Sequence, residues 1–163
     1  MNPISHVKLF RAGRLPNGDE PIVVVTFEQT REEDFFAEYF ILYQKSQRPT
    51  SCRYLCKENA REFLEIRTPE KVVEDVADYA LAEIEGKLVE SRPEEEQFKW
   101  IRRPAYTLTP IGLEDLRALW FRGRIEEPIR EMARITRSAE LKDELNQILN
   151  LPRPKYTLEK LSD

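Results

Sequence analysis

The sequence is poor in the residue types on which most catalytic and metal-binding sites depend. It contains one histidine, two cysteines and five glycines among 163 residues. Imidazole is the commonest general base and the usual partner of a Ser or Cys nucleophile, so a catalytic triad or a histidine-rich metal centre would have to use His6. We expect His6 instead to be a polar residue near the start of an edge strand. The sequence therefore predicts no catalytic residue and no bound metal.

The spacing of cysteine and glycine excludes further classes of site. Cys52 and Cys56 lie four residues apart, which is not the CxxC spacing of redox and zinc motifs, and no second Cys or His pair accompanies them. We expect two buried or half-buried free thiols. Each glycine stands alone, so there is no GxGxxG or GxxxxGKS/T loop whose backbone amides would bind a phosphate. These patterns predict neither a classical nucleotide site nor a cofactor.

Long apolar runs are also missing. Charged residues make up 34% of the chain, and the longest stretch without a charge, residues 104–113, is too short to cross a bilayer. The N-terminal residues contain no apolar run of signal-peptide length. With so few cysteines, we expect a soluble cytoplasmic protein that has no membrane partner.

The first third of the sequence has the pattern of an antiparallel sheet. Apolar and β-branched residues lie on both sides of Asn17-Gly18. Asn-Gly favours a type I′ hairpin turn because both central residues of that turn need a positive φ. We expect strands near residues 5–13 and 20–30, a short fourth strand at 53–55 and a helix near 57–66.

Residues 35–44 predict a third long strand, because they are rich in aromatic and β-branched side chains. Both faces of this strand are apolar, so helices or a partner chain must cover each face. One face carries Phe35, Ala37, Tyr39, Ile41 and Tyr43, and the other carries Phe36, Phe40 and Leu42.

The rest of the sequence has helical patterns. Thr68-Pro69 places an N-cap residue before a proline at the first helical position, and apolar residues then recur at three- and four-residue steps to about residue 85 or slightly beyond. Thr109-Pro110 repeats this start signal. We expect the second of these helices to end at Gly123, another to carry Pro128 in its first turn, and a last one to run from Ser138 to Pro152.

Together these elements predict an α+β protein, with an N-terminal antiparallel sheet of three or four strands and a mostly helical C-terminal half. Residues 1–67 would form a β-rich lobe and residues 68–163 a helical lobe of one compact domain, because no repeat or Gly/Ser linker separates them. We expect a mobile tail from about residue 152. Its Pro-Arg-Pro-Lys-Tyr-Thr-Leu run also suits an extended segment that adds to a sheet edge.

Residues 79–120 contain two short motifs separated by a charged stretch. The first is Gly-Lys-Leu-Val-Glu-Ser-Arg at 86–92, and the second is Tyr-Thr-Leu-Thr-Pro-Ile-Gly at 106–112. This arrangement resembles winged-helix transcription regulators of the PadR and MarR kind. The resemblance implies a winged-helix-like hairpin, with a first strand over Gly86, Leu88, Val89 and Glu90, a wing at 92–103 and a second strand over Tyr106, Leu108 and Thr109. The preceding helix is acidic here, whereas DNA-binding members need a basic helix at that place to contact phosphates.

Charge is unevenly distributed along the chain. The net charge is zero over residues 1–67, −7 over 68–97 and +3 over 98–163. Aromatic and basic residues alternate at 98–103, and Trp and Arg dominate interface hot spots. We therefore predict a non-catalytic protein-binding module, acting as an adaptor, assembly factor or regulator, whose partner is another protein or a second copy of the chain. The predicted partner-binding residues are Phe35, Tyr39, Trp100, Arg102 and Arg103.

Two other functions stay open as alternatives. A nucleic-acid-associated regulator would contact phosphates through Lys99, Arg102 and Arg103. A carboxylate-dependent enzyme would need two acids with raised pKa values to converge in one pocket. The chain has 30 acidic residues, so neighbouring acids such as Glu32 and Glu33 arise without any catalytic role.

Overall fold

A five-stranded antiparallel sheet lies at the centre of the computed structural model, which describes residues 2–90 and 107–152, except for the side chains of residues 87–90. The strands are β1 (Ile4–Arg11), β2 (Ile22–Gln29), β3 (Phe35–Leu42), β4 (Thr50–Cys56) and β5 (Thr109–Ile111). The helices are α1 (Ala60–Ile66), α2 (Pro69–Glu90), α3 (Leu113–Phe121), α4 (Glu126–Ile135) and α5 (Ala139–Leu149). The strand order is β4-β3-β2-β1-β5. The predicted α+β class is confirmed, and the C-terminal half contributes β5 to the N-terminal sheet.

Helices of the same chain cover both apolar faces of β3. On one face, Val25, Ala37 and Tyr39 pack in a cluster with Val76 and Ala80 of α2. On the other face, the sheet packs against α3, α4 and α5, which carry most of the second cluster. The predicted division of the β3 side chains between two faces is confirmed, and the molecule has three layers with the sheet in the middle. The second cluster contains Leu9, Val24, Phe40 and Leu42 of the sheet with Leu116, Trp120, Ile129, Met132, Leu141 and Leu145 of the helices.

Local helix signals are confirmed where a side chain caps the backbone. The Lys71 amide donates to the Thr68 hydroxyl at 3.3 Å at the start of α2. The Leu141 amide donates to the Ser138 hydroxyl at 3.2 Å at the start of α5. In both places a hydroxyl satisfies an amide that has no partner within its helix.

The turn of the first hairpin differs from the prediction. Gly18 has a φ of 87°, but Asn17 does not have a positive φ, so this is not a type I′ turn. The Gly18 amide donates to the Leu15 carbonyl at 2.9 Å, which places Pro16 and Asn17 at the centre of the turn. Proline fixes its φ near −65° and favours the first central position of a type I turn, and this explains why Pro16 sets the turn type.

Two predicted elements after residue 85 are wrong. Gly86, Leu88, Val89 and Glu90 belong to α2 and not to a first wing strand. Thr109-Pro110 does not start a helix, because these residues pair with β1 and α3 begins only at Leu113. The Gly112 amide donates to the Asp115 carboxylate at 2.9 Å and so starts α3. The expected wing at 92–103 lies outside the described residues, as does Tyr106.

A buried carboxylate on β3 joins the sheet to the turn between α4 and α5. Glu38 is 1% exposed and accepts hydrogen bonds from the Thr26 hydroxyl at 3.1 Å and the Thr136 hydroxyl at 2.8 Å. It also accepts from the Arg53 guanidinium at 3.1 Å and from the Arg137 amide at 2.9 Å. Four donors satisfy this charge, so it fixes the helical layer on the sheet instead of destabilising the core.

Replacing Glu38 should therefore be costly. Glu38→Ala leaves Arg53 without its carboxylate and two hydroxyls without their acceptor, and we expect the free energy of unfolding to fall by about 3 kcal/mol. Urea denaturation measures this change. Glu62→Ala removes an exposed carboxylate from α1 and serves as the control, for which we expect no measurable change. Equal stability of the two variants would contradict the assigned role of Glu38.

Candidate functional site

The aromatic residues predicted to bind a partner lie in the core. Phe35 is 8% exposed and Tyr39 is 6% exposed. The Phe35 ring lies 5.1 Å from the Phe27 ring, and the Tyr39 hydroxyl donates to Glu83 of α2 at 2.7 Å. Burial, followed by this contact with Glu83, raises the pKa of Tyr39. Both residues fasten the chain's own helices to the sheet, so they do not form an exposed patch.

The other predicted contact residues, Trp100, Arg102 and Arg103, lie outside the described residues, and so does Lys99. The same is true of the tail after residue 152. The thiols of Cys52 and Cys56 are free and half-buried, as predicted.

An open half of β1 borders a groove in the described part of the chain. β5 pairs with residues 9–11 of β1 and then turns away into α3. Residues 4–8 pair with β2 on one side, but within the described residues no strand pairs with them on the other side. The groove along this open half has a volume of about 510 Å³. We call it the edge groove.

Backbone groups of β1 point into the edge groove. The Ala12 amide donates to the Pro21 carbonyl at 3.0 Å, towards β2. Residues of an antiparallel strand direct their N–H and C=O groups to the two sides alternately. Leu9 and Arg11 therefore face β5, and Ser5 and Val7 direct their N–H and C=O groups to the open side. The open half of β1 thus presents two amides and two carbonyls that another strand can pair with, those of Val7 within the edge groove and those of Ser5 next to it.

Helices on both faces of the sheet supply the walls of the edge groove. On one side α2 contributes Glu70, Val73 and Glu74, next to His6 of β1. On the other side α5 contributes Glu140 and Glu144. The floor is strand backbone, and each wall carries a pair of carboxylates.

The charge of the edge groove is acidic. Its lining contains four glutamates and one lysine, Lys8. Some of these carboxylates have partners: His6 Nε2 lies 3.7 Å from Glu70, and the Ser5 hydroxyl donates to Glu140 at 2.7 Å. Lys71 lies 3.4 Å from Glu74, and Arg117 lies 4.0 Å from Glu144. Each wall therefore has two glutamates and one Lys or Arg partner, which leaves a small excess of negative charge.

The acidic outer face of α2 can be predicted from the sequence, but the position of the edge groove cannot. The second acidic wall comes from α5, about seventy residues further along the chain, and no local pattern pairs it with Glu70 and Glu74. Pro110 is a local signal for the short edge strand β5. Proline has no N–H to donate, so it is tolerated in an edge strand and favours a short strand.

Metal and membrane sites have no support in the described part of the chain. Among residues 2–86 and 107–152, no three His, Cys, Asp or Glu side chains are grouped as metal ligands would be. Within the same part of the chain, no helix combines the length and the apolar character that a membrane span requires. Comparisons with protein-family profiles, with curated proteins and with solved structures found no match to this chain.

One carboxylate at the end of the edge groove has a raised pKa. Glu28 lies opposite Ser5 in the β1–β2 register, and it accepts a hydrogen bond from the Ala139 amide at 3.2 Å. Burial raises the pKa of Glu28 above its ordinary value of 4.5, and Glu38 and Glu140 raise it further. Its contact with the first amide of α5 is a capping interaction, and nothing in it requires catalysis.

The raised pKa predicts how Glu28 changes stability with pH. A carboxylate whose pKa is higher in the folded state destabilises that state when it is ionised. Glu28→Gln keeps an oxygen that accepts from Ala139 and removes the charge, so we expect this variant to be more stable than the parent at pH 7. The difference should shrink as the pH falls towards 4.5 and disappear well below it, where the parent side chain is neutral in both states. Thermal denaturation at pH 7 and at about pH 3 measures this, and a variant less stable at pH 7 would contradict the assignment.

Proposed function

We propose that this protein is a non-catalytic protein-binding module that accepts an extended, basic segment of a partner protein as an additional strand beside β1. The observation that carries the proposal is the open half of β1, at residues 4–8, between two acidic helical walls. Strand addition of this kind obtains affinity from main-chain hydrogen bonds and specificity from the side chains that alternate on its two faces.

The main-chain part of this interaction is independent of the partner's sequence. Ser5 and Val7 offer two donors and two acceptors at the spacing of a β ladder. A segment of about five residues in an extended conformation satisfies all four. The entropic cost of ordering the bound peptide limits the affinity that main-chain hydrogen bonds can provide. Attraction between charged side chains must therefore contribute to the binding free energy.

The side-chain part selects basic residues. Alternate residues of an added strand point to opposite faces of the sheet. Those on one face approach Glu70 and Glu74, and those on the other approach Glu140 and Glu144. Lysine or arginine at positions on both faces is therefore attracted to both walls, including Glu140, whose contact within the chain is with the neutral Ser5 hydroxyl.

The same charges disfavour nucleic acid at this site, because its phosphates are repelled by four glutamates. The enzyme alternative gains no support from Glu38, which lies outside the edge groove and already accepts hydrogen bonds from four donors. The nucleic-acid alternative depends instead on Lys99, Arg102 and Arg103. Whether the module acts as adaptor, assembly factor or regulator depends on the partner.

Three synthetic peptides test the proposal directly. The first, Lys-Lys-Val-Thr-Val-Lys-Lys, places bases on both faces of a strand. The second replaces each Lys with Glu. The third, Lys-Lys-Pro-Pro-Val-Lys-Lys, keeps the charge but removes two adjacent N–H groups, one of which must face β1. By fluorescence anisotropy we expect binding of the first peptide only, and this binding should weaken as salt is added.

Charge reversal on α2 provides the matched protein variants. Glu74→Lys should weaken binding of the basic peptide by about tenfold, since it converts an attraction into a repulsion. Asp78→Lys makes the same change at an exposed position of the same helix outside the edge groove and should leave the affinity unchanged. Equal binding of the first and third peptides, or equal effects of the two variants, would refute strand addition in this groove. Tight binding of a single-stranded oligonucleotide by the parent protein would favour the nucleic-acid alternative.

A further inference from the structure

The opposite edge of the sheet is also open, and its surface differs from that of the edge groove. β4 pairs with β3, and within the described residues no strand pairs with its other side. Alternate residues of an antiparallel strand direct their N–H and C=O groups to opposite neighbours. The Ala12 amide bonds towards β2, and following the strand pairing from β1 to β4 shows which residues of β4 bond to β3. The N–H and C=O groups of Ser51, Arg53 and Leu55 point to the open side.

Exposed apolar side chains are concentrated beside this edge. Among the described residues five large apolar side chains are exposed, and four of them lie on β4, α1 and α2. Tyr54 stacks on Tyr79 with ring centroids 5.4 Å apart, and these rings border an apolar hollow of about 360 Å³ between β4, α1 and α2. We call this surface the β4 patch. Its exposed members are Leu55 (55%), Phe63 (42%) and Tyr79 (56%).

Three arginines near the β4 patch are paired with carboxylates of the same chain. Arg53 pairs with Glu38 at 3.1 Å, Arg67 with Asp75 at 2.8 Å, and Arg61 with Glu32 at 3.9 Å. An apolar hollow whose neighbouring arginines are already paired can meet an identical surface with less repulsion than two acidic edge grooves would experience. Strand backbone is self-complementary about a two-fold axis, and such isologous pairing is the commonest basis of homodimers. Paired arginines, exposed apolar area and an open strand together favour a second copy of this chain.

From these observations we infer that the protein forms a symmetric dimer through antiparallel pairing of β4 with β4 of a second copy. The inference does not depend on the proposed function, because the edge groove lies at the other edge of the sheet. The pairing joins two five-stranded sheets into one continuous sheet of ten strands. It also covers an edge that would otherwise invite aggregation.

The side chains favour one register for this pairing. Centring the two-fold axis on Arg53 sets two guanidinium groups directly opposite each other, which is unfavourable. Centring it on Tyr54 sets the two Tyr54 rings opposite each other and lets Arg53 and Leu55 exchange main-chain hydrogen bonds across the interface. It also brings the two β4 patches together near the axis. In this register Cys52 of each copy lies opposite Cys56 of the other.

Sedimentation velocity under reducing conditions tests the dimer. We expect a monomer–dimer equilibrium in the parent protein. Leu55→Lys sets a second positive charge against Arg53 of the other copy and should raise the dimer Kd by about tenfold. Phe121→Lys changes an apolar side chain of similar exposure, 40%, on α3 and should leave the Kd unchanged. Leu55→Lys should also leave the affinity for the basic peptide unchanged, which separates this inference from the proposed function.

The register is tested with the native thiols. Diamide oxidises two neighbouring thiols to a disulfide by accepting the two electrons and two protons that they lose. Neither Cys52→Ser nor Cys56→Ser alone should form a cross-linked dimer, because each lacks one member of every opposed pair. An equimolar mixture of the two variants should form one. A protein that is monomeric at all concentrations, a dimer insensitive to Leu55→Lys, or the absence of the mixed disulfide would overturn the inference.

Discussion

The structure depends on the need to bury the two central strands on both faces. β2 is buried along nearly its whole length and β3 likewise, and apolar side chains leave each strand on both sides of the sheet. Helices must therefore cover each face, and α2 on one side and α3, α4 and α5 on the other do so. Since the faces are filled by the chain's own helices, the strand edges are the parts of the sheet that remain open among the described residues.

The two open edges of the sheet have different surroundings because different helices lie beside them. At β1 the first turns of α2 and α5 line the edge groove with four glutamates. At β4 the neighbouring Arg53 and Arg67 are already paired and aromatic side chains are exposed instead. The same backbone pairing would thus select a basic segment at one edge and an identical surface at the other. Glu38 supports both edges, since it holds the α4–α5 turn against β3 and also binds Arg53 of β4.

Features with local signals could be predicted from the sequence, and features that depend on distant pairing could not. The capping hydroxyls of Thr68 and Ser138 and the two-sided pattern of β3 act within a few residues. The placement of Thr109-Pro110 was mispredicted because a Thr-Pro helix start was overruled by pairing with residues 9–11, a hundred positions away. Aromatic composition likewise could not distinguish a partner-binding surface from a core, so Phe35 and Tyr39 were predicted at a surface. The edge groove combines β1, α2 and α5, and no sequence window contains all three.

Amide hydrogen exchange by NMR tests the central claim most directly, because it distinguishes the β1 amides that face the open side from those that pair with β2. In the free protein the amides of His6 and Lys8, which face β2, should exchange slowly, and those of Ser5 and Val7 should exchange rapidly. Saturation with the Lys-Lys-Val-Thr-Val-Lys-Lys peptide should slow exchange at Ser5 and Val7 and leave His6 and Lys8 unchanged. Unaltered exchange at Ser5 and Val7 in a saturated complex would contradict strand addition beside β1.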